Sequence, residues 1–99
     1  MKTVIETETF SKHAALIWSE EEHEEFIEWI SLNWNAGDII AGSGGARKVR
    51  FKMKERGKSG GSRVIYFFLD EDDAVLLVEV YAKSDQSTMK GHEIRGLTK

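Results

Sequence analysis

Hydrophobic and polar residues follow two different periods along this chain, and the change comes at Asp38. Before that residue, the mixed segment Thr3–Phe10 predicts a strand, and Ser11 is predicted to cap a short helix over Lys12–Trp18. A longer second helix is predicted by residues that recur at helical spacing and share one face, namely His23, Phe26, Ile27, Ile30 and Trp34. The first part of the chain is therefore expected to supply one strand and two helices.

The second helix carries a start signal of its own. Ser19 is followed three residues later by Glu22, which is the pattern of a capping box, and acidic residues in the first turn suit the helix dipole. The solvent side of this helix is predicted to hold four further glutamates, Glu21, Glu24, Glu25 and Glu28. The segment 35–37, Asn-Ala-Gly, is expected to end the helix.

After Asp38 the pattern has the period of two that is typical of strands. In Ala46–Arg56 the odd positions are mainly apolar, and the even positions from 48 onwards are all basic: Lys48, Arg50, Lys52, Lys54 and Arg56. Arg63–Leu69 predicts a central strand that is buried on both faces, and Ala74–Lys83 predicts another strand. Turns are expected at the glycine-rich segments 42–45 and 57–61, the first as a flexible loop, and at the acidic segment 70–73.

These elements predict an α+β fold. An N-terminal strand and two helices would pack on one side of an antiparallel β-meander. Ser84 and Asp85 are predicted to cap a short C-terminal helix that ends near Leu97. Ninety-nine residues with 40% apolar content suit one domain over residues 1–99.

Charge is distributed unevenly along the chain. The formal net charge is -3, yet eight of the fourteen Lys and Arg residues lie within Arg47–Arg63. The absence of cysteine excludes a disulfide scaffold, a thiolate metal site and a cysteine nucleophile. No apolar run approaches the roughly 20 residues that cross a bilayer, and the opening segment carries two glutamates, unlike a signal peptide. We therefore expect a cytoplasmic protein with no membrane partner.

The basic strand face admits two interpretations. It could be a solvated edge strand, since Lys and Arg on an edge oppose association between sheets. It could instead bind a phosphate backbone, because a row of like charges is costly unless an anion relieves it. Arg63 and Lys83, at the ends of neighbouring strands, favour the second interpretation because they extend the charge beyond one strand.

The sequence limits the chemistry of such a surface. It places no carboxylate pair and no histidine cluster for hydrolysis or metal binding, and "GSGGARK" lacks the ending of a phosphate-binding P-loop. RNA cleavage by its own 2′-hydroxyl needs neither a metal nor a protein nucleophile. The protein has only to align the strand, neutralise the phosphorane charge and move two protons, which Arg, Lys and Tyr can do.

The segment Gly37–Asp85 resembles the RelE/ParE toxin superfamily of bacterial toxin–antitoxin systems, and within it the HigB-like branch. The resemblance rests on "GSGGARKVR", "ERGKSGGSRVIY" and "YAKSD", and it covers about half the chain. It implies a toxin that is a metal-independent and cofactor-free mRNA endoribonuclease acting on the ribosome. It also implies a helix-turn-helix antitoxin, through which the toxin–antitoxin complex binds operator DNA.

The resemblance also implies site residues. Arg63 would contact the scissile phosphate, and the other expected catalytic residues are Lys83, Tyr81 and Lys54. RNA contacts are expected from Arg47, Lys48, Arg50, Lys52, Arg56 and Lys58. Which residue is the acid and which the base stays open, and Tyr81 could equally be a core residue with its hydroxyl at the rim. The alternative function is non-catalytic, either a gyrase inhibitor of the same fold or an attenuated member that only binds its antitoxin.

Overall fold

The computed structural model describes residues 1–52 and 61–83, and there two helices lie on a five-stranded sheet. Its elements, in chain order, are β1 (Thr3–Glu6), α1 (Glu8–Ile17), α2 (Glu20–Leu32), β2 (Asp38–Ile39), β3 (Arg47–Phe51), β4 (Ser62–Leu69) and β5 (Ala74–Ala82). The predicted α+β class, with an N-terminal strand followed by two helices, is confirmed. The predicted helix between Ser84 and Leu97 lies outside the described residues.

The predicted antiparallel meander is confirmed, and the N-terminal strand, whose pairing was not predicted, makes the sheet as a whole mixed. The strand order is β1-β5-β4-β3-β2, so β4 is central, as its apolar sequence predicted. The pairs formed by β2 with β3, β3 with β4, and β4 with β5 are antiparallel, but β1 pairs parallel to β5, with Thr3 opposite Ala74. The chain returns to β1 only after both helices and the meander, and no local pattern encodes such a pairing.

Helix α1 begins earlier than predicted. Thr7 is its N-cap, because the Thr7 hydroxyl accepts a hydrogen bond from the Phe10 backbone N–H at 3.2 Å. The same hydroxyl donates to the Leu77 carbonyl at 2.9 Å, which joins the start of the helix to β5. The predicted strand over Thr3–Phe10 is therefore wrong beyond Glu6, and so is the predicted cap at Ser11.

Helix α2 begins where the capping box predicted. The Ser19 hydroxyl accepts from the Glu22 backbone N–H at 3.1 Å, and the Glu22 carboxylate accepts from the Ser19 N–H at 2.9 Å. The helix ends at Leu32, before the predicted segment 35–37. Asn33 is the C-cap, and both its backbone N–H and its side-chain amide donate to the Trp29 carbonyl.

The core between the helices and the sheet is aromatic. Phe26 is fully buried at its centre, and its ring centroid lies 5.0 Å from that of Phe51 and 5.2 Å from that of Trp18. Phe10 and Trp29 complete the group around Phe26. This cluster holds both helices against one face of the sheet.

The loop over residues 42–45, which was predicted to be flexible, is a hydrogen-bonded turn between β2 and β3. The buried Ser43 hydroxyl donates to the Ile40 carbonyl at 2.6 Å and accepts from the Ala46 N–H at 2.9 Å. The three glycines of the turn have positive φ, which only glycine adopts readily.

Tyr66 of β4 fixes the segment that joins α2 to β2. Its buried hydroxyl donates to the Trp34 carbonyl at 2.8 Å and accepts from the Gly37 N–H at 2.9 Å. A Cβ atom at Gly37 would lie 2.9 Å from that hydroxyl and from the Lys48 carbonyl, so the contact requires glycine. The hydroxyl of a core tyrosine thus takes the place of missing backbone hydrogen bonds.

Replacing Tyr66 with Phe is expected to lower the free energy of unfolding by about 1–3 kcal/mol, because the Trp34 carbonyl and the Gly37 N–H would lose their partner while staying in place. Chemical denaturation followed by circular dichroism measures the change. Replacing the half-buried Phe67 with Leu serves as the control, since this ring has no polar atom. An unchanged midpoint for Tyr66→Phe would contradict the proposed role of the hydroxyl.

Candidate nucleic-acid interface

A row of three polar side chains crosses three neighbouring strands near one end of the sheet. In the antiparallel register, Arg50 of β3 lies directly opposite Arg63 of β4, and Arg63 lies directly opposite Tyr81 of β5. Side chains that are directly opposite have Cβ atoms about 4.5–5.5 Å apart on the same face. The three residues therefore form one continuous site, although they are far apart in the sequence.

This row lies on the sheet surface opposite the helices. The neighbours of Arg50 in the strand, Val49 and Phe51, pack in the helix-side core, so Arg50 points the other way. Tyr81 packs with Ile65 in a separate, smaller core on that surface. Lys48 lies opposite Ile65, two residues before Arg50 on the same face of β3, and so adds a positive charge next to the row. We call Lys48, Arg50, Arg63 and Tyr81 the cationic face.

Two cations of the cationic face have no ion-pair partner among the described residues. Within residues 1–52 and 61–83, neither Lys48 nor Arg50 forms an ion pair. Two arginines directly opposite each other repel, and this repulsion destabilises the pair. An anion bound between the two guanidinium groups would relieve this cost, and a phosphate suits their planar donor geometry.

The charge is not confined to an edge strand. Arg63 lies on β4, the central strand of the sheet, and is half-buried. Side chains whose only role is to prevent association between sheets would lie on the edge strands β1 and β2, or on the part of β3 that β2 does not cover. The position of Arg63 therefore favours ligand binding over the edge-strand interpretation.

Tyr81 is buried at one end of this row, with its side chain only 7% exposed. Burial raises the pKa of the Tyr81 hydroxyl above its ordinary value, and nearby Glu79 raises it too, while the Arg63 guanidinium opposes both. Burial has the largest effect, so the phenol keeps its proton at neutral pH. Tyr81 is thus equipped to donate a hydrogen bond or a proton, and not to act as a base.

Stability is expected to be constant up to about pH 10 and to fall above it. The pKa values of Tyr66 and Tyr81 are both raised in the folded protein, mainly by burial, from an ordinary value of 10.0. Above that value the unfolded chain loses these protons first, so rising pH favours unfolding. Denaturation midpoints measured between pH 7 and 11 check this. The double variant Tyr66→Phe/Tyr81→Phe should show a shallower decline, and an equally steep one would contradict the assignment.

The end of β4 that carries Arg63 is held rigidly. The buried Ser62 hydroxyl accepts from the Trp18 indole N–H at 3.2 Å and donates to the Phe51 carbonyl at 2.9 Å. Gly61 has a φ of 65°, and a Cβ there would lie 2.6 Å from the same carbonyl. The backbone that carries Arg63 is therefore held by hydrogen bonds to β3 and to the end of α1.

Lys83 lies at the same end of the sheet as Arg63. It follows β5 directly, its side chain is exposed, and its backbone N–H donates to the Gly61 carbonyl at 3.1 Å. This bond places the Lys83 backbone beside the start of β4. Lys83 can therefore contribute an exposed ammonium group near Arg63.

Two of the predicted site residues lie apart from the cationic face. Arg47 shares the helix-side face with Val49, and its guanidinium donates to the Gly37 carbonyl at 2.7 Å. Lys52 follows the end of β3, and its Nζ lies 4.0 Å from the Glu25 carboxylate of α2. Three further predicted residues, Lys54, Arg56 and Lys58, lie outside the described part of the chain.

A buried acid near Tyr81 was not among the predicted site residues. The Glu79 carboxylate contacts Nδ1 of His13 on α1 and accepts from the Val80 N–H at 2.9 Å. Glu79 lies at a register shift between β4 and β5, two residues before Tyr81. The sequence did contain a signal for this buried acid, because Glu79 is the one charged residue in the otherwise apolar strand β5.

The described elements define an α+β fold in which two helices cover one side of a mixed sheet and cationic side chains lie on the other. Solved structures of the E. coli toxin RelE have the same fold. The isolated toxin in a P21 crystal form matches with a TM-score of 0.61 and 18% sequence identity, covering 98% of this chain and 99% of that one. A double arginine-to-alanine mutant of RelE in the free state matches with a TM-score of 0.60 and 18% identity, covering 85% and 84%.

Comparison of sequences does not assign the chain to a family. The chain matches no known protein-family model. In the part of the chain that the structure describes, neither helix has the length and apolar content needed to cross a membrane. The likeness to RelE is therefore one of fold.

Proposed function

We propose that this protein is the toxin of a toxin–antitoxin system, of the RelE/ParE superfamily, and that it cleaves messenger RNA on the ribosome. The observation that carries the proposal is the row Arg50–Arg63–Tyr81 across the sheet. It combines two cations suited to a phosphate with a protonated phenol beside them. The RelE fold supports the same reading, since both solved structures are of a toxin.

The cleavage would use the RNA's own nucleophile. The 2′-hydroxyl oxygen attacks the adjacent phosphorus, the bond from phosphorus to the 5′-oxygen breaks, and a 2′,3′-cyclic phosphate forms. One proton leaves the 2′-hydroxyl and one is delivered to the departing 5′-oxygen, so the reaction is balanced without a cofactor or metal.

The roles of the residues follow from their environments. Arg63, on the central strand, would hold the scissile phosphate and stabilise the charge that develops on its oxygens. Tyr81 would supply a proton, because its phenol is protonated at neutral pH and the residue lies directly opposite Arg63. Lys48 and Arg50 would hold the flanking phosphates, and Lys83 would neutralise charge beside Arg63. Lys54 remains a candidate for the base.

The proposed partners are the ribosome with its message and an antitoxin with a helix-turn-helix domain. The antitoxin would neutralise the toxin and would carry the complex to operator DNA. We propose a cytoplasmic location, where all these partners are found.

The experiment that tests this function combines the purified chain with ribosomes and a defined message, and maps new 5′ ends by primer extension. Cleavage that requires the ribosome and persists in a metal chelator supports the proposal. Intact messages together with DNA damage during growth arrest would instead support a gyrase inhibitor. Binding to RNA that does not weaken with salt would contradict contact with the phosphate backbone.

A further inference from the structure

A second surface lies on the helix side of the sheet, between the edge strand β1 and α2. It is a groove of about 750 Å³, and more of its surface is apolar than polar. Val4 of β1 and Ile27 of α2 contribute apolar side chains that also touch the main core. Four glutamates share the lining: Glu6, Glu20, Glu24 and Glu28. We call this surface the acidic groove.

Helix stability does not explain this row of glutamates. Glu20 lies in the first turn of α2, where the dipole favours an anion, but Glu24 and Glu28 follow at intervals of four residues. Like charges at that spacing disfavour a helix, and Glu28 approaches the end where the dipole also opposes it. The last turn of α2 contains no basic residue.

Among the described residues, three of the four groove carboxylates have no ion-pair partner. No ion pair within residues 1–52 and 61–83 involves Glu20, Glu24 or Glu28. Lys2 lies at the end of the groove, but its ammonium is 2.7 Å from the Asp73 carboxylate. Glu6, by contrast, is engaged, since His23 Nε2 lies 2.7 Å from its carboxylate. The free negative charge of the groove thus comes from α2.

We propose that the acidic groove binds a cationic amphipathic helix of a partner protein. Carboxylates at every fourth position of α2 are about 6 Å apart along the helix axis, which matches lysines at every fourth position of a second helix alongside. The apolar side chains of Val4 and Ile27 would receive the apolar stripe of that helix, as in other helix-in-groove complexes. The acidic groove and the cationic face lie on opposite sides of the sheet, so the proposal does not depend on RNA cleavage.

The test uses a fluorescein-labelled peptide of Lys and Leu in which the leucines recur at helical spacing. Fluorescence anisotropy at several salt concentrations should show binding to the wild-type chain that weakens as salt rises. The variant Glu24→Gln/Glu28→Gln should bind about tenfold more weakly, since two attractive charges are lost. Its melting temperature should not fall, because repulsion between like charges is relieved.

Two controls make the result specific. The variant Glu71→Gln/Asp72→Asn removes two exposed acids from the turn between β4 and β5, and it should bind the peptide as the wild type does. A peptide of the same composition with strictly alternating Lys and Leu should bind more weakly, because it presents strand periodicity. Amide chemical-shift changes upon binding should cluster on β1 and α2.

The proposal is overturned if the wild type does not bind the helical peptide or if both double variants lose affinity equally. It is also overturned if the alternating peptide binds more tightly or if the shifts fall on β3 and β4. None of these results depends on ribonuclease activity, so failure here is distinguishable from failure of the proposed function.

Discussion

Under the proposed function, replacing Arg63 with Ala is expected to lower the rate of message cleavage by about 10²- to 10³-fold, as the loss of one preorganised donor to a developing oxyanion does in characterised enzymes. Arg63 lies between Arg50 and Tyr81 on the central strand, and its backbone is fixed by the bonds of Ser62. A substrate phosphate held there would contact the guanidinium throughout the reaction. Single-turnover cleavage of a message on stalled ribosomes measures the effect.

The variants Arg63→Lys and Lys12→Ala complete this experiment. Lysine keeps the charge but loses the planar pair of donors, so Arg63→Lys should recover only part of the rate. Lys12 is an exposed cation on α1, and its removal changes the net charge equally but should leave the rate unchanged. Equal rates for Arg63→Ala and wild type, with both proteins folded, would show that Arg63 has no catalytic role.

Replacing Phe26 with Ala is expected to lower the free energy of unfolding by about 3–5 kcal/mol. Phe26 is fully buried and packs against four aromatic rings, so its removal leaves a cavity that rigid neighbours fill poorly. For a domain of this size the melting temperature should fall by about 20 °C. Differential scanning calorimetry measures the shift.

Leu16→Ala is the matched control for Phe26→Ala. Leu16 also lies on a helix, but its side chain is 68% exposed, so the substitution should change the free energy of unfolding by less than about 0.5 kcal/mol. If the two variants lost equal stability, the aromatic cluster would not be the centre of the core.

The features that the sequence predicted well are those with local causes. The capping box of Ser19 and Glu22 involves residues three apart, and the alternation through β3 needs only the period of a strand. The start of α1 was missed because Thr7 and Ser11 are both acceptable caps, and the hydrogen bond from Thr7 to β5 favours the earlier one. A tertiary contact thus determined which of the two possible N-cap residues starts the helix.

The candidate site was predictable in composition but not in arrangement. Period two alone places Arg47 on the same face as Val49, away from the cationic face, and its predicted contact with RNA stays a prediction. The alignment of Arg50, Arg63 and Tyr81 depends on where two turns set the strand register, and residue types do not determine that. The same is true of the contact between Glu79 and His13, which joins residues 66 positions apart.

The parallel pairing of β1 with β5 has a consequence for biosynthesis. Among the described strands β1 pairs only with β5, and the paired residues Thr3 and Ala74 are separated by about seventy positions. During translation β1 leaves the ribosome early and has no partner strand until β5 follows, so the sheet is completed only after β5 has been made. A nascent chain interrupted before β5 would therefore have neither a complete sheet nor the Arg50–Arg63–Tyr81 row.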